Sequence, residues 1–195
     1  MALLLGLLAP LQLVNDTVLR LGRWLAVGAI GVMVAVTLTQ VFMRYVLNNA
    51  LPWPDEAARF CMLWMTGLVA ATSYRRGGFV AIDMLERALP RAIAAALALV
   101  LLVISLGVLW FGLQLGWKHV NSGWLFNSSS LRLPLNLIGM EPVRLKLAWM
   151  FMSLFTGFIL LTLVNIELIL RNVVTLLGGG DRLKPLDTLD IPEAE

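Results

Sequence analysis

The sequence predicts an all-α integral membrane protein with four transmembrane helices and amphipathic surface helices. Three observations lead there. Apolar residues make up 59% of the 195 and charged residues only 14%, where a soluble domain carries roughly 25% charge. Mean hydropathy is +0.85. Four stretches reach or approach the ~20 apolar residues that a helix needs to cross a bilayer. These figures exclude an ordinary water-soluble globule, a disordered chain and a disulfide scaffold.

Residues 1–21 read as an N-terminal surface helix. Leu11, Val14, Val18 and Leu21 recur at helical spacing, with Asn15, Asp16 and Arg20 opposite, a pattern that suits a helix lying on a membrane. A membrane domain follows over 22–171, with spans at about 24–43, 57–74, 92–117 and 147–170. None has the polar stripe that a soluble bundle requires. Residues 172–195 read as a polar cytoplasmic tail, Gly-rich and then acidic. With four spans both termini share one side. That side holds nine bases against six on the other, so the positive-inside rule places both ends in the cytoplasm.

Charge and rare residues remove several functions. The sequence pI is about 9.5, but the 15 Lys and Arg are scattered between apolar blocks, so no nucleic-acid partner is expected. One Cys and one His supply no disulfide, metal site or haem, and no cofactor is expected. Ser128–Ser130 with His119 lack the Gly-x-Ser-x-Gly setting of a hydrolase nucleophile, so the chain does not read as an enzyme. No charge sits in the middle of a span, where proton and ion carriers place theirs. Glu167 is the nearest, one turn before Arg171, and reads as an interfacial ion pair. Gln40, Gln114 and Asn165 read as caps, water ligands or bridges between helices.

Two loops carry more information. In the first, Pro52 and Pro54 stop one helix and start the next. Asp55 and Glu56 fall in the new first turn, where the helix dipole favours acids. Either can meet Arg59 on one face, and the loop lets Arg44 approach them. This is helix capping with a rim salt bridge, or a charged platform for a partner. In the second loop Gly77 and Gly78 permit a sharp turn. A second surface helix follows, with Phe79, Ile82, Leu85 and Leu89 on one side and Asp83 on the other. The long segment 118–146 reads as a loop on the membrane or on another protein. Within it Trp124 and Arg132 are candidates for docking a periplasmic partner. Gly67 with Ala71, Gly112 with Gly116, and Ser153 with Gly157 are spaced for close helix approach, as are Gly28 and Gly31. Trp64 and Trp110 lie inside spans, available for a seam.

Residues 40–90 resemble the small membrane subunit, the Q subunit, of tripartite ATP-independent periplasmic (TRAP) transporters. The resemblance rests on Arg44, Tyr45, Val46 and Asn48, then Trp53, Asp55, Glu56 and Arg59. It continues through Trp64 to Arg75, Gly77 or Gly78, and Asp83. Asp55 stands where Glu is usual, and Phe79 where His is frequent. The resemblance implies a non-catalytic subunit that packs on a large M permease subunit and helps seat a periplasmic solute-binding protein. Sodium-coupled uptake of an organic anion, usually a carboxylate, would take place in the M subunit. Its remaining partners are membrane lipids. Rival readings are an anchor or accessory subunit of another membrane complex, and an independent small transporter.

Overall fold

The structure, a computed structural model, describes residues 2–77, 90–133, 143–179 and 183. The second surface helix with Gly78 and Asp83, and the tail beyond residue 179 apart from Leu183, lie outside these residues. Four helices run in order: α1 (Ala2–Tyr45), α2 (Pro54–Arg75), α3 (Arg91–Gly123) and α4 (Ala148–Leu176). Strands β1 (Asn127–Leu133) and β2 (Val143–Lys146) pair antiparallel between α3 and α4. The described residues are overwhelmingly helical, in keeping with the all-α expectation, and this short pair is the one addition to it among them. Helix α4 packs on both α3 and α2, and α1 packs chiefly on α2. The helices therefore form a row, α1–α2–α4–α3, with α1 and α3 at its edges.

Helices α1, α3 and α4 are long and apolar enough to cross a membrane. Helix α2 has 22 residues and is less apolar. At α1 the expected break between a surface helix and a first span is absent. One helix of 44 residues runs through, about 66 Å at 1.5 Å per residue. Asn15, expected on the polar face away from the membrane, turns inward instead. Asn15 is buried, together with Leu8, Leu19, Gly22 and Ala26, while Val14, Val18 and Leu21 are exposed. The buried positions recur every three or four residues, as in a coiled-coil seam. In lipid, outward leucine and valine cost nothing and small inward residues let helices close.

The α2–α4 crossing shows that closeness. A Cβ on Gly67 would strike the backbone carbonyl of Ser153, and one on Gly157 would lie 3.1 Å from Gly67 Cα. Gly112 and Gly116 receive Phe158 and Phe155 between α3 and α4. Gly28 and Gly31 instead face open space. Leu19, Ala71, Leu160 and Val164 form the apolar centre where α1, α2 and α4 meet. Helix α3 continues two turns past its expected end at residue 117. Its last turns place Gly123 against Ala148 and Phe151 of α4, so packing prolongs the helix into the segment read as loop.

Candidate functional site

Two polar assemblies occupy opposite ends of the helix row. At the α1 C-terminal end, α2 begins with Pro54 after a turn in which Asn48 takes a left-handed φ of 50°. Asparagine tolerates that conformation better than most residues. Glu56, in the first turn of α2, then points at β1. The strand register explains why donors await it. Asn127 pairs with Lys146, but Arg132 pairs with Arg144. Four residues of β1, Ser128–Leu131, thus lie between these pairs against the single Leu145 of β2, and the serines bulge out of register.

Glu56 gathers those free donors. Ser128 Oγ donates to Oε1 at 2.6 Å. Oε2 accepts from the Ser130 amide at 2.8 Å, the Leu131 amide at 3.2 Å, the Ser129 hydroxyl at 3.2 Å and the Ser130 hydroxyl. Partial burial alone would push this carboxyl up. The serine hydroxyls and the two backbone N–H groups outweigh it and hold the pKa at about 2, against an ordinary 4.5. The expected salt bridges do not form: among the described residues no ion pair joins Asp55, Glu56, Arg59 or Arg44. The carboxylate is turned instead to a hairpin that sequence spacing did not bring to it.

The hairpin so held is basic. Arg132 and Arg144 lie directly opposite each other, an arrangement that costs energy unless an anion or solvent intervenes. Both are exposed, as are Arg44, Tyr45, Asn48, Trp53, Asp55 and Arg59 at the same end. Trp124 closes α3, half its ring surface exposed, with the remainder edge-on to Trp149 at 6.2 Å. Trp64 donates its indole N–H to the Trp149 carbonyl at 3.1 Å, so it fills a seam within the chain. Trp110 faces outward. His119 lies on α3 with Nδ1 2.8 Å from the Leu115 carbonyl and its ring against Phe151, apart from the serines committed to Glu56.

The second assembly closes the other end. Glu167 of α4 is fully buried. Arg75, the last residue of α2, donates to it at 2.8 Å and also pairs with Asp16 of α1. Asn15 donates to Glu167 at 2.6 Å. Arg171 stands 3.8 Å away, one turn along α4, so the expected Glu167–Arg171 pair is present but is the weaker part of the cluster. Charge neutralisation is what makes such burial tolerable. Beside this cluster Tyr74 donates to Asn165 at 2.7 Å, and Asn165 donates to the Leu102 carbonyl of α3 at 3.1 Å. Asn165 is thus a bridge between helices. Gly77 ends α2 at a positive φ of 77°, which glycine adopts without strain. The roles of Asn15 and Asp16 were missed. Their signal was the placing of Asn15, Gly22 and Ala26, seven and then four residues apart, on one side of α1.

Both assemblies fix helix ends and loops. No curated protein matches the chain. The family model described as "Tripartite ATP-independent periplasmic transporters, DctQ component" matches residues 33–175, a stretch that takes in α2, α3, nearly all of α4 and both strands. This is a transporter-component family and not an enzyme family, and the chain belongs to it as a TRAP transporter small membrane (Q) subunit.

Proposed function

We propose that this Q subunit is a scaffold: it steadies the large M permease subunit and helps seat the periplasmic solute-binding protein. The observation that carries the reading is the exposure of α1 and α3. Only 6% of the most apolar window of each is buried within the chain. Large side chains such as Trp24, Phe42, Trp110 and Phe111 face outward. Lipid covers some of this area, and an M subunit covers the rest. Gly28 and Gly31, open on α1, allow a partner helix to approach closely.

In this proposal all four helices cross the inner membrane, α2 sheltered between α1 and α4, and both termini are cytoplasmic. The hairpin end then faces the periplasm. Arg132, Arg144 and Arg59 form a basic landing surface beside Trp124 and Trp53, held in place by Glu56. Opposite charge on the binding protein would speed its encounter. Solute and sodium pass through the M subunit, and the solute is an organic anion, a carboxylate by class. The absence of acids from span centres supports a subunit with no ion path of its own.

The test pairs assembly with transport. Chain and M subunit co-purify from detergent, and together with the binding protein they drive sodium-dependent uptake into liposomes. The chain alone drives none. Uptake by the isolated chain, or a stable M subunit fully active without it, would overturn the proposal.

A further inference from the structure

Arg20, Arg23, Trp24 and Val27 share one open, outward face of α1. We propose that it binds the headgroup of an anionic phospholipid. The inference rests on α1 crossing a bilayer and not on the docking or scaffolding reading.

Charge is the first argument. Asp16 and Glu167, the neighbouring acids, are taken by Arg75 and Arg171. Among the described residues neither Arg20 nor Arg23 has an ion-pair or hydrogen-bond partner. Two guanidinium groups three residues apart on one helix face present paired donors to one phosphate. Level is the second argument. Arg20 lies one helical turn beyond Asp16 and the buried cluster, at the charged boundary of the helix row. Below it Trp24 is 72% exposed, and Val27 is exposed one turn deeper. Arginine, indole and aliphatic side chain follow one another over about 10 Å of helix. That is the order of phosphate, interface and acyl chain in a lipid. An acidic side chain from a protein partner would use the charge but leave the graded aromatic and aliphatic part without purpose.

The test uses the full chain in detergent and native mass spectrometry, with phosphatidylglycerol or phosphatidylcholine added to the micelles. Inorganic phosphate and glycerol phosphate serve as soluble probes. Phosphatidylglycerol is expected to remain bound in preference to phosphatidylcholine. R20Q/R23Q should weaken it about fivefold per arginine and roughly 25-fold together. R20K/R23K should retain most of the binding, and R132Q/R144Q, at the other end, all of it. Circular dichroism establishes that the variants keep their helix. Equal retention of both lipids, unchanged retention in R20Q/R23Q, or an equal loss in R132Q/R144Q would overturn the proposal. So would saturable binding of inorganic phosphate alone. Loss of the M subunit from R20Q/R23Q with lipid retention intact would assign the arginines to a protein contact and overturn it too.

Discussion

Replacing Glu56 by glutamine removes the charge that holds β1 against α2 while keeping the side chain's size. The amide can accept at only one oxygen, and its NH2 would point at donors. Glu56 accepts from five groups on Ser128–Leu131. A carboxylate held at about 2 against 4.5 corresponds to about 3 kcal/mol of stability if fully shielded. Glu56 is half-buried, and solvent screening brings this to about 1–2 kcal/mol. The Ser130 and Leu131 amides should therefore exchange with deuterium about tenfold faster in the variant, after correction for intrinsic rates. The pH dependence has a definite sign. A depressed carboxylate contributes fully above its unfolded pKa and loses its contribution as pH falls through the folded one. Protection of the two amides should hold from neutral pH to about 4.5 and decline toward pH 2 in the wild type, and stay low and flat in the variant. Equal protection of these amides in both proteins at neutral pH would refute the reasoning.

Three further outcomes are expected. Glu167→Ala leaves Arg75 and Arg171 without their shared buried carboxylate and should destabilise the subunit by about 3–5 kcal/mol, read as a loss of folded yield and a lower melting temperature in detergent. Gly67→Val drives a side chain into the Ser153 backbone and should cost about 1–3 kcal/mol by overpacking. Gly28→Val, facing open space, should leave the melting of the isolated chain unchanged and reduce recovery of the M subunit. Reversing charge at Arg132 and Arg59 should slow uptake while assembly with the M subunit persists, measured as initial rate against co-purification.

Much of the membrane architecture was legible because a bilayer asks a simple question of a sequence: is there enough continuous apolar length? Prolines 52 and 54 and the acids after them marked the start of α2 for equally local reasons. The small residues at 67, 112, 116, 153 and 157 marked close crossings, since backbone approach depends on what is missing from the side chain. Two kinds of information were not local. The burial of Asn15 was missed because polar side chains mark the surface in water, whereas along a membrane helix Asn15 and Gly22 mark the packed face. The partner of Glu56 was invisible because it depends on a strand bulge more than seventy residues away. That bulge is a matter of register, which single-residue preferences do not encode.

The cluster around Glu167 also bears on how the chain is made. Asn15 and Asp16 leave the ribosome long before Arg75, and Arg75 long before Glu167. Until the last helix enters the bilayer, the first has no acid for Asn15 to hold, and the second has only Asp16 for its terminal arginine. The final helix thus acts as a lock. Chains truncated before it would carry unmatched polar groups at the membrane boundary, a signature that quality-control proteases can read.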